Sequence, residues 1–548
     1  MLDEQVTHSK RERPIVFFRR LLLSELQFLI ILYPLSYYLN YLMFPTITSS
    51  LRFPLRVLDS LKKKQKTILV PVNHGFAYRY FFQTDIFKTL QASGNQIVIM
   101  VENVEDPFFK GLKEFSNVAL VPYQVKKCED YLKKSAVENW LKRIRLFTLS
   151  AAGNIQTVKD IHRMYLKDHE KDTGKAYWLI RLMNWIVCTT RHFWIARRLI
   201  LWVEQYFYTP KFHADVFEKY QPDLLVVSSL GTFDYDQYVM REARARRIPV
   251  ASLILSWDNT TTRGMPGAIP DYVLTWTEVM RREAIHLNDI RPEKIRVCGV
   301  AHFDHYHRES TFLKKEEFYR QLKLDPDKKL LFFVTKSPNG YAWNADIAEM
   351  LLKAIQNGQI QNAQILVRLH PIYYRRMDGK CRYQNFLNQF YDLKKRFPDL
   401  ILNEPVMDTD LMNFSMPENE IRLLASLLKY SQVLVNMFST LNIEASIFDL
   451  PCVNVCFEGQ NHDTPMKARY NIAMDEAQTH NQRVVQSGAI QMVRSEQEMI
   501  EAINLSLKHP EIGCEARRRL KETECGLNPG TAGETIAETL LELIQKNT

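Results

Sequence analysis

The stretch NMFSTLNIEASIFDLPCVNVCFEG, residues 436–459, has the pattern of a strand, a loop, a short helix and a second strand. The first strand is apolar until Ser439-Thr440, and the following helix is apolar except for Glu444. We expect Ser439 and Thr440 to cap this helix, where backbone N–H groups and the helix dipole favour an anion such as a diphosphate. A Glu444 that faces the same side can accept hydrogen bonds from a ribose diol. The alternative is an ordinary helix cap followed by a solvent-facing glutamate.

The same alternation of short apolar runs and helical stretches continues along the chain and predicts strands and helices in turn. A first set of predicted strands covers 67–74, 96–103, 118–123, 223–229, 249–256, 271–276 and 294–299. A second set covers 329–336, 363–370, 400–404, 432–438, 452–458 and 489–495. We therefore predict an α/β fold of two doubly wound, Rossmann-like domains with an interdomain cleft at the carboxyl ends of their strands.

The chain divides into three predicted parts. Residues 1–66 form a basic and hydrophobic N-terminal segment that we expect to associate with membranes. Residues 67–311 are predicted to be the first Rossmann-like domain, with a helical insertion at 128–220. Residues 312–548 are predicted to be the second such domain.

Polar residues gather where the predicted strands end. In the first domain His74 follows the first strand and Asp258 follows the fifth. In the second domain the strand ends carry Lys336, Ser337, Arg368, His370, Ser439 and Thr440. Because the carboxyl ends of parallel strands meet at one edge of a sheet, this repetition favours a shared cleft and the ligand-binding interpretation of Glu444.

The formal net charge of +10 favours anionic partners such as nucleotide phosphates and acidic lipid surfaces. No compact basic helix with base-reading spacing occurs, so we expect no nucleic-acid partner. The eight cysteines are scattered, which favours a reducing compartment. No His/Cys/Glu set has metal-ligand spacing, and we expect no metal and no other cofactor. The sequence Asp234-Tyr235-Asp236 opens a predicted helix, where acids stabilise the N-terminus, and we do not assign it to a metal.

Two stretches have the composition of membrane-binding segments. Residues 21–47 are the most apolar part of the chain, with interrupting polar residues and basic residues on both sides. We expect an interfacial or re-entrant anchor with both ends cytoplasmic, and the alternative is a soluble helical hairpin. Residues 175–210 place four tryptophans at about two-turn spacing among arginines, which suits a headgroup layer; a buried helix is the alternative.

Several runs of the chain resemble the GT-B glycosyltransferases, and within them the capsule and teichoic-acid-type polymer enzymes, including the CDP-glycerol glycerophosphotransferases. The run STLNIEASIFDLPCVNV looks like the donor-binding segment of that group, and VRLHP resembles its Leu-His-Pro strand end. The run SWDNTTTRGMPGAIPDYVLTW is similar to the late part of the first domain, and ECGLNPGTAGETIAETL to the C-terminal tail. The resemblance covers roughly residues 67–100 and 220–548.

The resemblance implies roles for the residues at the strand ends. The first domain would receive the acceptor, and the second would bind a nucleotide donor. The expected donor-binding residues are Lys336, Ser337, Arg368, Ser439, Thr440 and Glu444. His370 is expected near the donor phosphates, where an imidazole stabilises the leaving group. His74 is expected to take a proton from the acceptor hydroxyl, and Asp258 is the alternative base.

The resemblance further implies a metal-independent, membrane-associated glycosyltransferase at the cytoplasmic face of the cell membrane. It would move a sugar from a nucleotide-sugar donor to a lipid-linked or cell-envelope glycan acceptor. One alternative is transfer of glycerol phosphate from CDP-glycerol, which releases CMP in place of a nucleoside diphosphate. Two others remain: a sugar-nucleotide epimerase of the same fold, and a degenerate GT-B body that serves as a scaffold or binding module.

Overall fold

The computed structural model describes residues 65–72, 74–153, 155–228, 230, 233–377, 380–406, 416–459 and 471–546. The membrane anchor expected at 21–47 lies outside this part of the chain. Within the described part, no helix combines the length and the apolar composition needed to cross a bilayer.

The first sheet has seven parallel strands in the order β3-β2-β1-β4-β5-β6-β7. Its strands are β1 Thr67–Pro71, β2 Gln96–Val101, β3 Val118–Pro122, β4 Leu224–Val227, β5 Val250–Leu253, β6 Tyr272–Thr275 and β7 Ile295–Val297. The central strand β1 is buried along its whole length. A parallel strand covered on both faces needs an unbroken apolar run, which explains why the sequence TILVP was recognisable as a strand.

The second sheet has six parallel strands in the order β12-β9-β8-β13-β14-β15. The strands after β7 are β8 Lys329–Val334, β9 Ala363–Arg368, β10 Arg376–Met377, β11 Lys380–Cys381, β12 Ile401–Asn403, β13 Val433–Asn436, β14 Cys452–Val455 and β15 Ile490–Val493. In both sheets the strand order is that of a Rossmann fold, with the reversal at β1/β4 and at β8/β13. The prediction of two doubly wound parallel sheets is confirmed. The small antiparallel hairpin β10-β11 was not predicted.

Twenty-one α-helices surround the sheets in the described residues. They are α1 Gly75–Phe82, α2 Asp85–Ala92, α3 Val125–Lys134, α4 Ala136–Gly153, α5 Gln156–Asp168, α6 Gly174–Thr190, α7 Trp194–Phe207, α8 Ala214–Tyr220, α9 Asp236–Ala245, α10 Asn259–Thr262, α11 Glu278–Asn288, α12 Lys315–Leu322, α13 Asn344–Gln356, α14 Gln384–Arg396, α15 Glu418–Tyr430, α16 Leu441–Ile447, α17 Ile472–Ala477, α18 Thr479–Ser487, α19 Glu496–Lys508, α20 Cys514–Glu524 and α21 Ala532–Lys546. The connection between β1 and β2 contains two helices, α1 and α2, and the hydroxyl of Thr84 caps α2.

Six helices, α3 to α8, occupy the connection between β3 and β4, where a Rossmann crossover normally has one. A buried set of ion pairs fastens this insertion to the first lobe. Arg241 on α9 bonds to Glu138 at 2.9 Å and lies 3.3 Å from Glu204, which also pairs with Arg145 at 2.9 Å. Buried charges that satisfy one another in this way hold specific helices in a specific register.

Helix α21 packs on the first lobe, although it lies within residues 312–548, which are predicted to form the second domain. α21 packs on α2. The carboxylate of Asp304 accepts hydrogen bonds from the backbone N–H groups of Ala532 and Gly533, at 3.1 and 2.8 Å, and so caps α21. The end of the chain therefore joins the two sheets into one body.

Arg483 connects the lobes on the opposite side of the cleft. From α18 its guanidinium bonds to Glu283 on α11 of the first lobe at 2.5 Å and to Glu524 on α20 at 2.9 and 3.1 Å. It also lies over the ring of Trp257, 5.4 Å from the ring centroid, which is a cation–π contact. All three charged groups are largely buried, so each depends on the others for solvation.

Replacing Arg483 should therefore destabilise the fold strongly. We expect Arg483→Met to lower the free energy of unfolding by about 3–5 kcal/mol, because it leaves two buried carboxylates without their cation. Urea unfolding followed by circular dichroism measures this. The matched control is Arg518→Met, which removes an exposed arginine from α20 and should leave the stability nearly unchanged. Equal effects of the two substitutions would contradict the role of Arg483.

Candidate active site

A cavity of about 760 Å³ lies between the carboxyl edges of the two sheets. Its lining comes mainly from segments that follow β1, β5 and β7 in the first lobe and β8, β9, β13 and β14 in the second. Among the predicted site residues the lining contains Asp258, Lys336, Ser337, Arg368, His370, Ser439, Thr440 and Glu444. The structure thus brings these predicted strand ends together. In the second lobe they include the ends of β8 and β13, the two strands between which the strand order reverses.

Glu444 points into this cavity and is held from the other side of the cleft. It is 9% exposed, and the hydroxyl of Tyr306, which precedes β8 in a 3₁₀ segment, donates a hydrogen bond to its Oε2. Burial raises the pKa of Glu444, while the Tyr306 hydrogen bond and the charge of Arg79 lower it again. The solvent-facing alternative for Glu444 is therefore wrong. The Tyr306 hydrogen bond orients this carboxylate in the cavity lining.

Arg79 is a cavity residue that sequence reasoning missed. It projects from α1, lies over the ring of Phe76 at 5.0 Å and acts electrostatically on both Glu444 and Tyr306. Within the described residues no carboxylate comes within ion-pair distance of its guanidinium, so its donors are available to an anion. The only sequence signal was an arginine one turn after the first strand end.

The turn at Ser439-Thr440 is built differently from the predicted cap. Thr440 makes no side-chain capping bond, and the Ser439 hydroxyl accepts from the N–H of Leu441 at 3.3 Å. The preceding residue, Phe438, has a φ of +39°, which a non-glycine residue adopts only when its surroundings enforce it. The enforcement comes from Asn454, whose side-chain oxygen accepts from the Phe438 N–H at 2.8 Å.

Two of the expected phosphate-binding cations are already paired. Lys336 donates to the carboxylate of Asp475. Arg368 bonds to Glu420 at 2.8 Å and to the side chain of Asn403 at 2.5 Å. Arg368 is 4% exposed and lines the cavity while it is bonded within its own lobe, and its role in donor binding stays a prediction. Neither partner was visible in the sequence, because Glu420 is 52 residues away from Arg368 along the chain.

His370 lies in the cavity as a neutral imidazole. Burial, with a smaller effect from the charge of Lys336, lowers its pKa to about 4. Its Nδ1 accepts the N–H of Ile372 at 3.1 Å, which assigns the proton to Nε2. At neutral pH His370 can donate a hydrogen bond, but it carries no charge of its own.

Asp258 lies in the cavity beside His480, a residue that the sequence did not single out. Burial works to raise the pKa of Asp258, but the nearby His480 and the hydroxyl of Ser256 outweigh it and the pKa is lowered. Burial lowers the pKa of His480 to about 4, against the opposing pull of Asp258. At neutral pH the pair therefore consists of an ionised carboxylate and a neutral imidazole. The Thr262 hydroxyl donates to Asp258 Oδ2 at 3.1 Å and orients the carboxylate.

His74, the first-choice base, is placed at the edge of the site. Its Nδ1 accepts the N–H of Phe76 at 3.2 Å, so the side chain caps α1, and its ring lies 5.1 Å from that of Phe233. The cavity lining includes Phe76 and Arg79 of the same helix but not His74. Burial, followed by the charge of Arg375, lowers its pKa to about 4.

The Asp234-Tyr235-Asp236 sequence serves the fold. Asp236 is buried and accepts from the hydroxyl of Tyr123 at 2.8 Å, and burial raises its pKa to about 7. Asp234 pairs with Lys142 of the insertion at 2.5 Å. Both carboxylates are directed to neighbours in the first lobe.

No protein-family model matches the chain, and no curated protein sequence matches it. Solved structures do. The UDP-GlcNAc 2-epimerase from Methanocaldococcus jannaschii superimposes with a TM-score of 0.45 at 14% identity, over 87% of this chain and 99% of its own. The glycosyltransferase from Rickettsia africae has a TM-score of 0.45 at 11% identity, over 88% and 99% of the two chains. The wall teichoic acid polymerase TagF has a TM-score of 0.43 at 9% identity, over 88% and 90%.

These similarities are distant, and the fold is assigned from the strand order and the cleft of this chain. Two doubly wound parallel sheets share one cleft at their carboxyl edges, and the chain has the GT-B fold.

Proposed function

We propose that this protein is a metal-independent glycosyltransferase. It moves a sugar from a nucleotide-sugar donor to a lipid-linked or cell-envelope glycan acceptor at the cytoplasmic face of the cell membrane. The observation that supports this most directly is the cavity of about 760 Å³, which Glu444 of the second lobe and Arg79 of the first lobe both line and in which they interact electrostatically. A carboxylate for a diol and a cation for phosphate are the groups that a nucleotide diphosphate requires.

The donor is placed with its nucleotide on the second lobe. Glu444 accepts hydrogen bonds from the ribose, and Tyr306 keeps it oriented. The phosphates lie between the Ser439-Thr440 turn and Arg79. His370 donates its Nε2 proton to a phosphate oxygen and so stabilises charge on the leaving group.

The acceptor hydroxyl approaches from the first lobe, where Asp258 is the base. Asp258 is ionised at neutral pH and lies in the cavity lining, whereas His74 caps α1 at the edge of the site. The carboxylate takes the hydroxyl proton as the oxygen attacks the anomeric carbon, and the nucleoside diphosphate leaves. Release of a nucleoside diphosphate distinguishes this reaction from glycerol phosphate transfer, which releases CMP, and from epimerisation, which releases neither.

Donor binding should depend on Glu444. We expect a panel of nucleotide sugars and CDP-glycerol to contain at least one compound that raises the melting temperature of the protein, because a ligand of the folded state stabilises it. Glu444→Gln should weaken that binding by roughly 10- to 100-fold, the value of a hydrogen bond to a charged group. Thermal shift and calorimetry measure both. The control is Glu538→Gln, on the exposed side of α21. No response to any nucleotide would support a scaffold in place of an enzyme.

Turnover should depend on Asp258 separately from binding. We expect Asp258→Asn to lower kcat by about 10²- to 10⁴-fold, the usual contribution of a general base, with donor affinity unchanged. Nucleoside diphosphate release measures turnover. The control is Asp392→Asn, which changes an exposed aspartate of α14. A full loss of activity in His74→Asn with normal turnover in Asp258→Asn would instead assign the base to His74.

Acid should destabilise the protein through three histidines in or beside the cavity, each with a lowered pKa. Burial holds the pKa of His74, His370 and His480 at about 4, below the ordinary value of 6.5. Between these values the unfolded chain binds protons that the fold excludes, so the free energy of unfolding falls as the pH is lowered from about 6.5 to about 4. One histidine contributes at most roughly 3 kcal/mol.

The substitution His370→Asn tests this, because asparagine can still accept the capping N–H. The variant should lose less stability than the native protein between pH 6.5 and pH 4. Melting temperatures across that interval measure the difference, with His509→Asn, an exposed histidine, as the control. Parallel curves for the native protein and His370→Asn would contradict the neutral, buried state of His370.

A further inference from the structure

Helix α7 is amphipathic in the reverse of the usual sense. Its outward side carries Ile195, Leu199, Trp202 and Tyr206, spaced by four, three and four residues, and these side chains are 62%, 57%, 51% and 69% exposed. Such spacing places them on one side of the helix. An ordinary surface helix turns this apolar stripe towards the core.

Two of the three charged residues of α7, Arg197 and Glu204, face inward, and the third, Arg198, is half-buried. Arg197 is buried and bonds to Asp289 through two hydrogen bonds of 2.6 and 2.8 Å. Glu204 is fully buried and pairs with Arg145 at 2.9 Å and Arg241 at 3.3 Å. These ion pairs fix the rotation of the helix, so its apolar side is held outward by the fold.

Helix α6 and the turn after it extend this apolar surface. α6 buries Met183 and Val187. The exposed large hydrophobic side chains of both helices are Trp178, Leu179, Leu182, Trp185, Phe193, Trp194, Ile195, Leu199, Trp202, Tyr206 and Phe207. They make up more than half of the exposed large hydrophobic residues in the described part of the chain. We refer to these eleven side chains as the aromatic face. An apolar surface of this extent marks an interaction site.

A basic groove of about 1200 Å³ lies directly beside the aromatic face. Trp194, Trp202 and Tyr206 belong to both. The cationic residues of its lining are Arg198, Lys211, Arg244, Arg247, Arg291 and Lys294. Its lining contains one acidic residue, Asp289, which is already bonded to Arg197. The groove therefore has a strong excess of positive charge.

We propose that the aromatic face and the basic groove together bind the surface of a bilayer that contains anionic phospholipids. The tryptophans enter the headgroup layer, where amphipathic indole rings are most stable, and the groove receives lipid phosphates. The charge of the groove decides between a membrane and the chain's own N-terminal segment as the occupant. Residues 1–66 contain eleven Lys/Arg and five Asp/Glu, so the groove repels them. This surface lies apart from the cavity lining, and its role does not require the proposed transferase activity.

Vesicle flotation of the full chain tests the proposal. The native protein should float with vesicles of phosphatidylcholine and phosphatidylglycerol, and weakly with phosphatidylcholine alone. The face variant W178A/W185A/W202A should bind both kinds of vesicle at least tenfold more weakly. The groove variant K211Q/R247Q should lose about tenfold in binding to the anionic vesicles only, since each cation near an anionic surface contributes a severalfold increase.

Matched controls change the same residue types elsewhere. L505A/I512A removes exposed apolar side chains from the second lobe, and R518Q/R519Q removes exposed cations from α20. Both should float as the native protein does. Native binding by the face and groove variants would overturn the proposal and assign membrane binding to residues 1–64. A failure of the native protein to float would overturn it as well. The proposal would also be overturned if the face variant, without vesicles, melted well below L505A/I512A, because the tryptophans would then be packed against the protein itself.

Discussion

The hydrogen bond from Tyr306 to Glu444 is the interaction on which the cleft depends. A carboxylate that is almost fully buried needs partners, or its desolvation would exceed what the fold can offset. Glu444 belongs to the second lobe, Arg79 to the first, and Tyr306 to the segment that joins them. The same three groups therefore stabilise the arrangement of the lobes and line the cavity. A ligand that engages Glu444 acts on the contact between the lobes at the same time.

The distribution of charge in the cavity gives its cations different roles. Lys336 and Arg368 face Asp475 and Glu420 within their own lobe, and these pairs are electrically neutral. They position the strand ends, but they offer little net attraction to a phosphate. Arg79 keeps its charge available, and it comes from the opposite lobe. In the proposed binding mode, Arg79 of the first lobe attracts the anion and residues of the second lobe bind it by hydrogen bonds, so binding depends on the distance between the lobes.

The sheets were predictable from sequence because their strands are buried on both faces and therefore appear as unbroken apolar runs such as TILVP and KLLFFV. The site was predictable only as a set of strand ends. The partners that define each residue's role are distant in sequence: Tyr306 is 138 residues from Glu444. The strained turn before Ser439 depends on Asn454 of the next strand, which local propensity cannot show. The spacing of the tryptophans in α7 was visible in the sequence, but periodicity does not show which side of a helix faces the core. Arg197 and Glu204 form buried ion pairs, so the charged side of α7 faces inward and its apolar side faces solvent.

Two carboxylates of the cavity lining, Asp258 and Glu444, have pKa values that their surroundings shift in opposite directions, and this supports different roles for them. The pKa of Asp258 is lowered, because His480 and hydroxyl donors outweigh the effect of burial. Its carboxyl group is therefore ionised at neutral pH. The pKa of Glu444 is raised, because the effect of burial exceeds the opposing effects of Tyr306 and Arg79. When two titratable groups of one site have pKa values shifted in opposite directions, they commonly have different roles in the reaction. An ionised, oriented carboxylate on the first lobe suits proton abstraction from an acceptor, and a fixed carboxylate on the second suits a neutral diol. In the proposed reaction neither lobe holds a complete site, so chemistry requires both lobes in contact with the same donor.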